Sequence, residues 1–350
     1  MTHASRPAWL NCATCLLVIS AVLTGGAAFV LFVDHHAVRM REKAAFLPTD
    51  RAPFDVETLA FCAIEYASKS QEMNDVVFVG DSTCVAAIDP ALFEGRTGFR
   101  AYNLGATGVI GLEGCEIILR SYLKHHPKPR LIVLCTHHTL LERSPGHEWV
   151  RERFLDVYGS DPHPWRFSVY SMAPIVKLAL RLPIASDMGA FADNRMPGHS
   201  KHSFRSLQDV MVRQKGYWPW PGTLTGPANR CAGDETTAFS VTEAMKEDVL
   251  GILRLAGCHG IPVMVRLAPI IACKRKCEQT ELNAWLDSLQ AGNEHEVILG
   301  RPSLIEYAPA LFGKTGPEHC NDAGAKEFTR LLAEEVERSL HDPNALADRK

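Results

Sequence analysis

The chain has 350 residues, 46% of them hydrophobic and 22% charged, enough for one large domain, or a domain carrying an insertion, around a sizeable core. A formal charge of −3 and a pI near 6.6 leave no electrostatic footprint for nucleic acid. The apolar content also argues against a disordered chain.

After a short tail over residues 1–8, residues 9–33 contain no charged side chain. At a helical rise of about 1.5 Å per residue, such a run is long enough to cross a bilayer. Arg6 ahead of it and the small residues Gly25, Gly26, Ala27 and Ala28 within it also suit a cleavable signal peptide. The apolar run continues through Phe29, Val30, Leu31, Phe32 and Val33, beyond a usual signal core, so an uncleaved single-pass anchor is expected. Arg6 lies before the span, and Arg39, Arg41 and Lys43 follow it. The basic residues therefore do not settle which side the body of the protein occupies.

Eleven cysteines are present, Cys12 and Cys15 of them inside the span. Cys273 and Cys277 flank a basic triplet and suit a local disulfide or half a metal site. No second pair with zinc spacing accompanies them, and no metal is expected.

Residues 34–70 read as a connector with helical stretches over 35–45 and 56–68. From residue 71 the pattern alternates strand and helix. Val76-Val77-Phe78-Val79 is too short for a helix and rich in β-branched residues, as a buried strand is. Gly80-Asp81-Ser82 punctuates it, and a helix-compatible run begins near Cys84. Residues 99–104 form a second short strand, 112–123 a helix that ends before Pro127 and Pro129, and 131–135 a third, continuously apolar strand.

Regularity lapses over about residues 143–240, where Tyr217-Trp218-Pro219-Trp220-Pro221-Gly222 is the densest aromatic stretch. An insertion over one end of a sheet fits this region, either as a substrate-facing cap or as an inert packed excursion. Helices then read at 241–256, ending on Gly257, at 280–290 and at 323–340, with strands at 262–267 and 296–299. Residues 341–350 are a tail. Strands separated by helices in this order indicate an α/β domain over residues 71–340, with a mostly parallel sheet covered on both faces.

Ser82 at the carboxyl end of a buried strand stands where open α/β sheets place ligands. Asp81 and Ser82 are equally ordinary helix N-caps. A serine nucleophile needs a base and oxyanion donors, and His319, just ahead of the last helix, lies on the same side of a parallel sheet.

Gly80-Asp81-Ser82 after one strand, Asn103-Leu104-Gly105 after the next, and His319-Cys320-Asn321-Asp322-Ala323-Gly324-Ala325 before the final helix resemble the SGNH/GDSL hydrolase superfamily. The resemblance is to its membrane-anchored members that handle acyl groups on exported polymers, and it covers roughly residues 74–142 and 241–340. It implies a three-layer α/β/α, flavodoxin-like domain. It also implies a catalytic set of Ser82 as nucleophile, His319 as base and Asp81 ordering the turn, with oxyanion donors in the N–H groups of Gly105 and Ser82. The implied activity is hydrolysis or transfer of an acyl ester, acetyl above all, on a cell-envelope carbohydrate, by an extracytoplasmic domain and without a cofactor. Partners are the acylated carbohydrate or another small ester, the membrane through residues 9–33, and unidentified components of an envelope complex.

This sequence departs from the family pattern twice. Gly316 stands three residues before His319, where the family carries an aspartate, and Glu318 is the nearest acid. After the third strand the chain reads Cys135-Thr136-His137-His138-Thr139, without the family's asparagine. Thr136, His137, His138 or Asn103 are the candidate substitutes, and a non-catalytic, carbohydrate-binding or assembly component that keeps the fold is the competing expectation. Metal binding by His137 and His138 is disfavoured, since neighbours in an extended segment point to opposite faces.

Overall fold

Five fully buried residues, Val76–Gly80, form the central strand β1 of the computed structural model. The structure describes residues 56–142, 210–220, 222–224, 243–271, 279–291, 305–314 and 318–341, with Ser20, Gly25, Arg151, Phe154, Leu155, Tyr158 and Val241 besides. All but Ser20 and Gly25 belong to one compact unit, residues 54–162 with 205–350.

Strands β2 (Ala101–Asn103), β3 (Leu131–Thr136) and β4 (Val263–Leu267) join β1 in a four-stranded sheet of order β2-β1-β3-β4. Every pairing in it is parallel, with Phe78 opposite Asn103 and Gly80 opposite Cys135. A second, two-residue parallel pair joins β5 (Ile270–Ile271) to β6 (Glu306–Tyr307).

Successive strand residues point to opposite faces, and both faces are apolar because both are covered. Val77, Val79, Ile132, Leu134, Val263 and Val265 enter one core cluster. It is shared with α1 (Val56–Lys69), α4 (Gly111–His125), α6 (Glu243–Cys258) and α7 (Gln279–Ala291). Val76, Phe78, Leu131, Val133, Cys135 and Met264 enter the other. That cluster is shared with α2 (Ser82–Ala87), α3 (Pro90–Thr97) and α8 (Asp322–His341). Each large apolar side chain buried this way contributes about 1.5–3 kcal/mol. The α/β class and the parallel sheet agree with the sequence-based expectation.

Several boundaries differ from it. The helix expected inside a connector is α1, whose Ala60, Ala63, Ile64 and Ala67 are buried in the core, so the domain begins before residue 71. Helix α3 had no counterpart in the reading, although Asp89 caps it, Pro90 opens it and Gly98 closes it at φ 72°. Helix α6 runs past Gly257 to Cys258, because the left-handed turn falls at Gly260, φ 59°. The expected helix at 35–45, the strand at 296–299 and the Cys273–Cys277 pair lie outside the described residues. Among the described residues no helix is long and apolar enough to cross a membrane, and of residues 9–33 only Ser20 and Gly25 are described.

Helix α8 is locked to the sheet and to α2. Thr329 Oγ1 accepts the N–H of Asp89 at 2.9 Å and donates to the carbonyl of Ala87 at 3.3 Å. Arg266, buried on β4, donates from Nε to Glu335 of α8 at 2.7 Å. Arg266 is buried and Glu335 half-buried, so removing the carboxylate leaves a buried charge short of its partner.

At Gly80 a Cβ would stand 1.6 Å from the carbonyl oxygen of Cys135, so β1 and β3 approach each other only because the residue has none. Gly80→Ala is expected to lower unfolding free energy by about 3 kcal/mol, the upper end of overpacking costs. Urea denaturation followed by circular dichroism checks this.

Candidate active site

Strand β1 lies between β2 and β3, so the chain leaves it toward β2 and returns on its other side at β3. This is the switch point outside whose carboxyl ends open α/β sheets bind ligands. The chain turns there at Asp81, and Ser82 is the first residue of α2.

Asp81 holds the turn from both oxygens. Its Oδ1 accepts the N–H of Thr83 at 2.9 Å and the Thr83 hydroxyl, which caps α2. Its Oδ2 accepts the Thr136 hydroxyl and the His137 N–H, each at 3.1 Å, which ties the end of β3 to the end of β1. The carboxylate is therefore committed to the backbone it organises, in line with its expected role as turn-former.

His319 arrives from the far end of the chain. An isolated bridge between Phe312 and Cys320 and a bond from the Gly313 N–H to the His319 carbonyl at 2.9 Å frame its loop. Asn321 anchors the same loop. It donates to the carbonyls of Ala310 and Phe312 at 2.8 and 3.2 Å, and accepts the N–H groups of Ala323 and Gly324 at 3.1 Å, the cap of α8. The result is that His319 Nε2 lies 2.8 Å from Ser82 Oγ, across 237 positions of sequence.

Nδ1 of His319 is buried and has no hydrogen-bond partner among the described residues. Gly316, where an acid was looked for, lies outside them. Glu318 is exposed, and its charge, like that of Asp81, raises the His319 pKa. Burial is the larger effect and holds the imidazole below its ordinary 6.5.

The oxyanion assignments need correction. The N–H of Gly105 donates to Asn103 Oδ1 at 2.8 Å, so it is spent inside the loop. Asn103 is 1% exposed, and its Nδ2 donates to the carbonyls of Cys84 and Ile88 at 2.9 and 3.1 Å. Both residues fasten the β2 loop to α2 and neither presents a donor to the site. The Thr136 hydroxyl and the His137 N–H are likewise given to Asp81. Two other backbone donors head helical turns here, where the first N–H groups lack an intrahelical partner. One is Ser82; the other is Gly108, first in the 3-10 turn Gly108–Ile110. Gly108 is half-buried and abuts the turn: a Cβ on it would meet Asp81 Cβ at 3.7 Å.

The end of the long insertion also reaches the site, which sequence reasoning left open between cap and excursion. Lys215 accepts the Asn103 N–H at 2.9 Å through its carbonyl. The N–H of Trp218 then donates to Val85 of α2, and that of Trp220 to Cys320, both at 3.1 Å. The indole of Trp220 stacks on the His319 imidazole with centroids 4.0 Å apart and planes 16° from parallel. Its only signal in the sequence is aromatic density.

Other chemistries find less support. The Cys320 thiol beside His319 is pushed up to about 12, chiefly by burial, and stays protonated at neutral pH. The rings of His137 and His138 do not diverge; their centroids are 4.3 Å apart because His138 already opens α5 (His138–Glu142). Among the described residues no three His, Cys, Asp or Glu side chains gather to hold a metal ion.

Replacing one Asp81 oxygen by an amide sets a donor against donors. Asp81→Asn is expected to cost about 1–3 kcal/mol of stability, the penalty for an unsatisfied buried group. Urea denaturation of the variant against wild type measures it.

A scan against protein-family models finds no match to this chain, and a search of curated proteins finds none either.

Proposed function

We propose that the chain is a membrane-anchored serine hydrolase or acyltransferase of SGNH type, acting on acyl esters, acetyl foremost, of a cell-envelope carbohydrate. The observation that carries this reading is the 2.8 Å approach of His319 Nε2 to Ser82 Oγ at a sheet switch point. The sheet order, with helices on both faces, is compatible with the flavodoxin-like, three-layer fold of that superfamily. Trp218, half-buried and bonded through its N–H to Val85 of α2, suits a sugar, whose rings stack on aromatic faces. The uncharged run over residues 9–33 supplies the anchor and, with the resemblance, an extracytoplasmic placement.

In this reading Ser82 Oγ attacks the acyl carbonyl as His319 Nε2 takes the hydroxyl proton. The N–H groups of Ser82 and Gly108 stabilise the tetrahedral oxyanion. His319 then protonates the departing alcohol, and water or a second sugar hydroxyl resolves the acyl-enzyme. For Nε2 to accept, Nδ1 must hold the ring's own proton. A second reading, a carbohydrate-binding component without turnover, is favoured by the unpartnered Nδ1 and by the commitment of Thr136 to Asp81.

Hydrolysis of 4-nitrophenyl acetate by the full chain in detergent separates the two. Ser82→Ala is expected to fall to background and His319→Gln by about 10²–10⁴-fold. Equal rates in wild type and Ser82→Ala would sink the catalytic reading.

The base works only when neutral, and burial lowers its pKa, so the acidic limb of kcat/KM is expected below pH 6.5. A pH–rate profile with its half-point above that value contradicts the assignment of His319.

A further inference from the structure

Among the described residues, the Ser82–His319 pair has no third group hydrogen-bonded to the imidazole as in a serine triad. The far nitrogen of the imidazole is buried without a partner among those residues, and both oxygens of the buried Asp81 carboxylate are engaged elsewhere. What does touch the ring is an indole face at 4.0 Å. We infer that Trp220 is the positioning residue for His319, fixing the plane of the neutral imidazole and stabilising the imidazolium that forms when Ser82 gives up its proton. The inference rests on the catalytic reading above.

Three observations carry it beyond a chance contact. First, the two rings are borne on backbones tied together, since the Trp220 N–H donates to the carbonyl of Cys320, the residue after His319. Second, room for the indole is made by Gly313, where a Cβ would stand 2.7 Å from both Cβ and Cδ1 of Trp220. The N–H of that same Gly313 donates to the His319 carbonyl at 2.9 Å, so one residue admits the indole and holds the histidine. Third, Trp220 Nε1 is itself buried without a hydrogen-bond partner among the described residues. An indole is held here although its one polar group is unsatisfied, which points to the ring face as the useful part.

The physical role follows from the ring's charge distribution. The negative face of an indole attracts a cation above it, more strongly when water is excluded. A neutral imidazole gains little from this and an imidazolium gains more, so the contact strengthens as the proton moves from Ser82 to His319. An interaction stronger in the transition state than in the ground state lowers the barrier. Stacking also resists tilting of the ring and keeps Nε2 on the hydroxyl.

The test uses a fluorophosphonate probe on the full chain in detergent, which needs no knowledge of the natural ester. In the labelling step the Ser82 Oγ–P bond forms and the P–F bond breaks. Fluoride leaves with the bonding pair, and the hydroxyl proton passes to His319 Nε2. Wild type is expected to label at Ser82, located by peptide mapping. Trp220→Leu is expected to label about 3- to 30-fold more slowly at saturating probe, the span of a cation–π contact expressed as a rate. Its half-saturating probe concentration stays within about twofold, because binding is untouched. Trp220→Phe, which restores a ring face, is expected to recover most of the rate, and Gly313→Ala, which displaces the indole, to behave like Trp220→Leu.

Wild-type rates in Trp220→Leu or Gly313→Ala overturn the inference. So does a Trp220→Phe loss as large as that of Trp220→Leu, or a loss confined to half-saturation, which makes Trp220 a substrate surface instead. Absence of labelling in wild type overturns the serine-nucleophile reading itself and is thereby distinguished. A measurement that needs no probe stands beside these. The fluorescence difference between wild type and Trp220→Phe is expected to fall as pH drops through the His319 titration, because an imidazolium quenches a stacked indole. Asp81 and Glu318 are the charged groups that face this titration. A flat difference overturns the contact.

Discussion

A single buried carboxylate holds the carboxyl end of this sheet together. Asp81 is 4% exposed and accepts from one helix, one side-chain hydroxyl on each of two elements, and the backbone beyond β3. Hydrogen bonds to a charged acceptor in a low-dielectric setting are the strong ones. Here they converge on the point where β1 and β3 already press together at Gly80 and Cys135. Ser82 is the next residue, so its position is inherited from this knot. Both its oxygens are spent on these bonds rather than on the His319 imidazole.

The histidine side is built by different means. The loop is held by an amide, Asn321, by backbone bridges, and by apolar burial of Phe312 and Phe328. Thr329 then joins α8 to the junction of α2 and α3, so the elements bearing Ser82 and His319 are bonded to each other directly. The two halves of the site thus share a helix–helix contact as well as the hydrogen bond between their side chains. Burial keeps the imidazole neutral, the state a base requires.

Much of this was legible in the residues. Val76–Val79 and Leu131–Cys135 are continuously apolar because both sheet faces are covered, and such runs announce themselves. Ser82 and His319 were legible because strand-to-helix turns of a parallel sheet share an edge, so turns distant in sequence were expected to meet. Donor assignments were not legible. Whether the Gly105 N–H faces a substrate or the side chain two residues earlier depends on a loop conformation that residue spacing does not encode. Trp220 was beyond reach for another reason: the insertion has no period, and its contact with His319 depends on which strand end it crosses. Helix α3 carries a capping Asp89, an opening Pro90 and a closing Gly98, but its eight residues are too few to show an apolar period.

The 237-position separation of Ser82 from His319 also bears on how the protein is made. A nascent chain exposes the serine early and receives its base only when the last helix leaves the ribosome. Closing so long a loop carries an entropic cost that grows slowly with length, but contacts of this span form late. Until α8 docks through Thr329, Ser82 is an ordinary hydroxyl at a helix start. The topology therefore ties the Ser82–His319 contact to the docking of α8, so a chain that has folded only its first strands does not hold the two side chains together.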